Sequence, residues 1–114
     1  MERETKTVKC PSGKEAVLKA YLTAGERRQL RNTFAEAIRL PMTRGEDVRV
    51  ENLGEAMNHG EDVLIRMAVT SYDGNADQIV ERLLDGNPKD GTDGDYEFIV
   101  EEAGKLNSVF TQAK

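Results

Sequence analysis

The chain has 114 residues, of which 38% are apolar and 5% aromatic, and it contains a single cysteine. Its net charge of −5 arises from 16 basic and 21 acidic side chains. This length predicts one domain with one modest core. A single cysteine excludes a disulfide scaffold. The apolar runs, which are at most three residues long, exclude a membrane-spanning helix.

The first predicted element is a β-hairpin over residues 5–22. The segment Thr5–Cys10 alternates in polarity and is rich in β-branched residues, which is typical of a strand. The segment Pro11–Lys14 predicts the turn, with Gly13 supplying a positive φ. The second strand begins at Glu15, and its pattern leaves open which of its two faces is buried.

A capping box starts the first predicted helix. Thr23 and Glu26 stand at the spacing at which each side chain can bond the other residue's backbone amide. An apolar stripe that includes Leu30 and Phe34 continues the helix to about Arg39. Pro41 follows, and we expect it to break the helix.

Further elements are predicted in the second half of the chain. An edge strand is expected around residues 46–51, then a helix over 52–71, a turn over 72–75, a short helix over 76–85 and a last helix over 95–106. The predicted fold class is therefore α+β, with an N-terminal β-hairpin followed by a bundle of about four helices. We expect a single domain over residues 1–114, with hairpin 5–22, helical part 23–106 and a flexible tail at 107–114.

The charges are unevenly distributed along the chain. Residues 1–45 carry a net charge of +5 and residues 46–114 a net charge of −10. Such a split is typical of two surfaces with different partners or of head-to-tail association. The alternative is that the two halves neutralise each other within the fold.

The acidic residues do not complete a metal-binding motif. Asp73, Asn75 and Asp77 have the spacing of a calcium loop, but Gln78 replaces its glycine and Leu84 its closing carboxylate, which excludes an EF-hand. The loop 85–95 contains four aspartates in no complete pattern: Asp85, Asp90, Asp93 and Asp95. A solvated acidic loop is expected there, with adventitious cation binding as the alternative.

No pattern of catalytic residues is recognisable. His59 is the only histidine and has no second metal ligand or triad partner nearby in sequence, so we expect a structural or surface histidine. Cys10 stands on a strand without a neighbouring base, which favours a small buried side chain over a nucleophile. Gly-rich phosphate motifs are absent from the sequence. We therefore predict a protein that is not an enzyme and that requires neither a metal nor a cofactor.

Three arginines lie near the start of the first predicted helix: Arg27, Arg28 and Arg31. The helix dipole disfavours cations at this end, so a solvated or partner-facing role is more plausible than a stabilising one. The cluster has no interleaved aromatic residues and the chain as a whole is acidic, which argues against nucleic-acid binding. Recognition of a partner helix fits better.

Several segments together resemble one family. They are Pro11–Glu15, Val17–Lys19, Glu26–Arg28, Ser71–Gly74, Ile79–Asp85 and Asp95–Glu102. In this order and spacing they resemble the tail assembly chaperones of long-tailed bacteriophages, over about residues 6–106. The chain departs from the family between Asp85 and Asp95, where a long Asp/Gly-rich loop replaces a tight link.

The resemblance implies a non-catalytic chaperone. Such a protein binds the long, helical tape-measure protein and keeps it soluble while the tail tube subunits polymerise around it, so the tail tube protein is a second expected partner. It implies the cytoplasm of the bacterial host as the location, absence from the mature virion, and self-association that lets several copies coat one partner. A structural minor tail or head–tail joining protein that is retained in the virion is the alternative.

The partner-binding residues expected on this basis lie at two places. They are Arg27, Arg28 and Arg31 on the first helix, and Leu106, Val109 and Phe110 near the end of the sequence. The last two are apolar residues in an otherwise polar segment, which suggests that they dock onto a partner or back onto their own domain.

Overall fold

The computed structural model of the chain describes residues 4–43 and 50–106. Its elements are β1 (Thr5–Lys9), β2 (Glu15–Lys19), α1 (Ala24–Thr43), α2 (Val50–Ala68), β3 (Val69–Tyr72), α3 (Ile79–Leu84) and α4 (Asp95–Gly104). The α+β class is confirmed, but the strands form an antiparallel sheet of order β1-β2-β3 rather than a hairpin alone. The predicted tail at 107–114 lies outside the described residues.

The predicted hairpin is confirmed. Thr5 of β1 lies opposite Lys19 of β2, and the turn between the strands passes through Gly13 with a φ of +93°. Ala16 and Leu18 of β2 are fully buried, which establishes the inward face that the sequence pattern left open.

The third strand replaces the last turn of a predicted helix. We expected the second helix to reach Ser71, but α2 ends at Ala68 and the chain continues directly into β3 beside β2. The reason is that β2 has a free edge, and a β-branched segment such as Val69–Thr70 fits a strand better than a helix terminus. Thr70 reinforces the pairing by donating its hydroxyl to the carbonyl of Val17 at 3.1 Å.

Two other predicted boundaries around residue 45 are wrong. α1 continues through Pro41 to Thr43, since a proline close to a helix end removes one hydrogen bond while its fixed φ remains helical. Val50 and Glu51, placed in the predicted edge strand, belong to the first turn of α2. The rest of that predicted strand lies outside the described residues.

The short helix α3 starts three residues later than predicted. Gln78 adopts a left-handed conformation with φ of 51°, and the side-chain oxygen of Asn75 accepts a hydrogen bond from the backbone N–H of Asp77 at 2.8 Å. Such an Asx turn competes with helix for the same backbone groups. α4 begins at Asp95 as predicted and ends two residues before Leu106.

One hydrophobic core joins the sheet to the helices. Its buried side chains among the described residues are Cys10, Ala16, Leu18, Leu22, Leu30, Leu64, Ile65, Ala68, Val69, Tyr72, Ile79, Val80, Leu83, Ile99, Ala103 and Leu106. Met57 of α2 is 50% exposed. Among the described residues, the members of this cluster on α2 lie at or after Leu64, and Ala56 is buried nearer the start of the helix.

The two long helices form a hairpin of their own. α1 packs chiefly against α2, and the ring of Phe34 on α1 lies 3.3 Å from the position that a Cβ on Gly60 of α2 would occupy.

Over the described residues, no helix has the length and apolar character that crossing a membrane would require.

Two glycines give a matched test of the backbone packing. A Cβ at Gly86 would collide with the carbonyl oxygen of Thr92, whereas one at exposed, helical Gly54 would meet nothing within 4 Å. Gly86→Ala should destabilise the protein by about 1–3 kcal/mol through overpacking. Gly54→Ala should instead stabilise it by about 0.5–1 kcal/mol by restricting the unfolded chain. Urea unfolding of both variants measures the difference, and a Gly86→Ala variant as stable as wild type would contradict the close approach.

Candidate functional site

The candidate site begins where α1 begins. The predicted capping box is confirmed: the Glu26 amide donates to the Thr23 hydroxyl at 3.1 Å, and the Thr23 amide donates to the Glu26 carboxylate at 2.8 Å. The other carboxylate oxygen of Glu26 accepts from the Lys19 ammonium at 3.0 Å. The helix start is thereby tied to the end of β2.

Three exposed arginines follow on α1. We call Arg27, Arg28 and Arg31 the arginine face. Leu30 is 2% exposed and Phe34 is half-buried, so they hold the apolar side of the helix toward the rest of the protein. The side chains of the arginine face form no hydrogen bond or ion pair with any described residue. This part of the predicted partner-binding surface is accordingly accessible.

An open groove runs along a different side of α1. It has a volume of about 720 Å³ and is lined by Gly25, Arg28, Gln29, Asn32, Thr33 and Glu36 of α1 and by His59 of α2. Arg28 is thus shared between the groove and the arginine face, whereas Arg27 and Arg31 are not among the lining residues. His59 is exposed, in agreement with the predicted surface role.

The other predicted contact residues are differently placed. Leu106 is 4% exposed and packs in the core, so it offers no surface to a partner in this conformation. Val109 and Phe110 lie outside the described residues. The arginine face and Leu106 therefore do not form one continuous contact surface.

A buried carboxylate lies at the junction of the sheet and α4. Asp95 is fully buried and accepts three hydrogen bonds: from the Ser12 amide at 3.2 Å, the Ser12 hydroxyl at 2.5 Å and the Tyr72 hydroxyl at 2.6 Å. It connects the hairpin turn, β3 and the first residue of α4. A fully hydrogen-bonded, water-excluded carboxylate of this kind has a structural role.

The same carboxylate affects its titratable neighbours. Burial raises the pKa of the Cys10 thiol from 9.0 to about 12, and the negative charge of Asp95 adds to the effect. Burial also raises the pKa of Tyr72, whose hydroxyl proton is held in the hydrogen bond to Asp95. Cys10 is 3% exposed, so it is the small buried side chain that was predicted and a poor nucleophile.

A second polar contact fixes the turn after β3. Arg82 of α3 donates to the carbonyl oxygens of Tyr72 at 2.9 Å, Asn75 at 2.6 Å and Asp77 at 2.9 Å. Its guanidinium also lies 5.4 Å from the centre of the Tyr72 ring, within range of a cation–π interaction. The turn thus receives its donors from a helix that begins only a few residues later.

Carboxylates gather where α2 meets α4. The Tyr96 hydroxyl donates to Asp62 at 2.7 Å, and burial raises the pKa of neighbouring Glu61, with the charges of Asp62 and Glu97 raising it further. We call Glu61, Asp62 and Glu97 the acidic face. Across the described residues, no hydrogen bond or ion pair brings a cationic side chain to any of them.

The Asp/Gly-rich loop does not converge on a cation site. The Asp95 carboxylate accepts hydrogen bonds from Ser12 and Tyr72, and Asp90 accepts a hydrogen bond from the Asn87 side chain at 3.1 Å. In the part of the chain that the structure describes, no three histidine, cysteine, aspartate or glutamate side chains are grouped so that they could hold a metal ion. Of the four loop aspartates, Asp85, Asp90 and Asp93 are exposed, whereas Asp95 is buried.

Sequence reasoning missed the role of Asp95. It appeared only as one of four loop aspartates, because its partner Ser12 is 83 residues away. One local signal existed: Asp95 immediately precedes the apolar pattern of α4, where a helix start favours an acid. That signal predicts the residue's position on the helix but not its burial.

Comparisons with known proteins gave no match. A scan of protein-family models, a search of curated proteins and a search of solved structures each found none. Inference about function therefore depends on the residues of this chain and on their arrangement.

The hydrogen bonds to Asp95 can be tested by removing one donor. Tyr72→Phe leaves a buried carboxylate with one donor fewer, which should cost about 1–3 kcal/mol of unfolding free energy. Thr70→Val is the control, because Thr70 is exposed and water can replace its bond to Val17. Urea unfolding at neutral pH measures both variants. Equal stability of Tyr72→Phe and wild type would show that the buried carboxylate does not need this donor.

The raised pKa of Cys10 predicts a loss of stability at alkaline pH. The unfolded thiol releases its proton around 9.0, whereas the folded protein retains it up to about 12. The contribution is therefore complete below about pH 9 and falls as the pH rises toward 12, because the unfolded chain binds fewer protons in this range. Unfolding midpoints of wild type and Cys10→Ala across this range measure the effect. The wild type should lose more stability than the variant, and parallel curves would contradict the prediction.

Proposed function

We propose that this protein is a tail assembly chaperone that binds a phage tape-measure protein and keeps it soluble during tail assembly. It acts by binding and not by catalysis, in the cytoplasm of the bacterial host, and leaves before the virion is complete. The observation that supports the proposal is that the segments resembling this family contact one another in the folded protein.

Those segments meet one another. The turn after β1 contributes Ser12 to Asp95 of α4, and Lys14 of the same turn pairs with Asp73 at 3.0 Å. Tyr72 and Arg82, from two further segments, are joined by the hydrogen bond to the Tyr72 carbonyl. The resemblance is thus concentrated in residues that hold the hairpin, sheet and last helices together, which supports a shared fold.

The groove between α1 and α2 is the proposed binding surface for a tape-measure helix. Its walls offer the amides of Gln29 and Asn32, the Thr33 hydroxyl, and the opposite charges of Arg28 and Glu36. A groove with both donors and acceptors can contact the side chains of a polar helix without one fixed sequence motif. Such contacts exchange readily, as a partner that must later be released requires.

The proposal predicts a specific loss of chaperone activity. Asn32→Trp fills the groove with a bulky side chain at an exposed position and should leave co-expressed tape-measure protein mostly insoluble. Asn58→Trp, at an exposed position on α2 outside the groove lining, is the control and should preserve solubility. The soluble fraction of a co-expressed phage tape-measure protein is the measurement, with circular dichroism to verify that both variants fold.

Two outcomes would overturn the proposal. One is a tape-measure protein that is equally soluble with and without this chain. The other is mass spectrometry of purified virions that detects the chain in stoichiometric amounts. The second result would instead favour a structural minor tail or head–tail joining protein.

A further inference from the structure

The two sides of the three-stranded sheet are finished differently. On the β3 side, Tyr72 and Asn75 exchange backbone hydrogen bonds of 3.0 and 3.1 Å, and the Arg82 guanidinium also donates to the Tyr72 carbonyl. On the opposite side lies β1, which among the described residues pairs only with β2. A strand in this position presents backbone groups that no neighbouring strand pairs.

The hydrogen bonds at the two ends of β1 establish which of its backbone groups face outward. The Ala20 amide donates to the Glu4 carbonyl at 2.8 Å, and the Cys10 amide donates to the Lys14 carbonyl at 2.8 Å. Successive residues of an antiparallel strand bond alternately to one side and to the other. The even-numbered residues therefore bond to β2, and the odd-numbered residues direct their N–H and C=O groups away from it. These outward-facing residues, which we call the open edge, are Thr5, Thr7 and Lys9. No described residue bonds to their outward groups.

The core is incompletely covered beside the open edge. Val8 packs against the core cluster but is only half-buried, whereas Ala16, opposite it on β2, is fully buried. This difference is expected because β1 has a neighbouring strand on one side only. An apolar side chain on an added strand would cover the remaining surface of Val8.

Two lysines of β1 carry positive charge without an ion-pair partner. They are Lys6 and Lys9, and neither Glu4 before the strand nor Glu15 across from Lys9 pairs with them. The two remaining lysines of the hairpin each pair with a carboxylate at 3.0 Å. Lysines on an edge strand discourage pairing with a neutral or basic strand. An acidic strand would instead place carboxylates beside them, and opposite charges on neighbouring strands attract.

We propose that the open edge binds an extended, acidic and β-branched segment of another protein as a fourth strand of the sheet. Main-chain hydrogen bonds to the three outward-facing residues give the affinity, and the side chains next to Val8 and the two lysines give the specificity. β1 spans five residues or about 17 Å, so a segment of about six residues fills the edge. None of these residues lines the groove, so the contact goes beyond the proposed function.

Amide hydrogen exchange of the full-length chain, followed by NMR, tests the added strand. The probe is a synthetic peptide of alternating valine and glutamate residues. Without the peptide, the amides of Lys6 and Val8 should be protected, whereas the open-edge amides should exchange freely. Saturating peptide should slow exchange of the open-edge amides by about tenfold or more. Protection that instead rises with protein concentration in the absence of peptide would identify a second copy as the occupant and overturn the proposal.

One substitution removes an outward donor while leaving the bonds to β2 in place. Thr7→Pro deletes an N–H that faces away from β2, and proline is tolerated at such edge positions. It should weaken binding of the acidic peptide by about tenfold or more, because the added strand loses one main-chain bond and meets the proline ring. Thr7→Val keeps the N–H and is the control, which should bind as wild type does. Circular dichroism verifies that both variants fold.

A second variant leaves the backbone of β1 unchanged. Lys6→Gln/Lys9→Gln should weaken binding of the valine–glutamate peptide, since its carboxylates lose their cations. Binding of a matched peptide of alternating valine and glutamine should not weaken, because it carries no charge to be recognised.

Three further results would overturn the proposal. They are unchanged exchange of the open-edge amides at millimolar peptide, a folded Thr7→Pro variant that binds as tightly as wild type, and equal binding of the acidic peptide and a valine–lysine counterpart. Asn32→Trp separates this proposal from the proposed function, since it fills the groove and leaves the open edge unchanged. This variant should lose tape-measure solubility and still bind the acidic peptide as wild type does.

Discussion

Placing the carboxylate of Asp95 out of contact with water imposes a strict condition on the rest of the fold. A buried charge is tolerated only where donors replace its hydration. Ser12 supplies two of them and Tyr72 the third. The turn of the hairpin, the third strand and the first residue of α4 must therefore occupy fixed positions relative to one another. The apolar core beneath them adds stability without directional preference, whereas this carboxylate specifies geometry.

Local signals predicted the elements that depend on neighbouring residues. The hairpin turn at Gly13, the capping box at Thr23 and the start of α4 at Asp95 all follow from interactions within a few residues, and the structure contains all three. β3 could not be predicted in this way. The segment from Val69 continues the apolar pattern of α2, and only the free edge of β2 decides that it becomes a strand.

The candidate site was predictable in part. Exposure of Arg27, Arg28 and Arg31 followed from their unfavourable position at the start of a helix. The groove beside them depends on how α1 packs on α2, and the close approach of Phe34 to Gly60 between these helices has no signature in sequence.

The separation of Ser12 from Asp95 also bears on how the protein is made. Contacts between residues 83 positions apart in the sequence form late, since a long loop must close before they contribute. During synthesis the hairpin emerges long before α4, and until α4 arrives the Tyr72 hydroxyl lacks its carboxylate acceptor and the sheet lacks part of its cover. The sheet therefore stays partly uncovered during synthesis, and its native packing is completed only when α4 is in place.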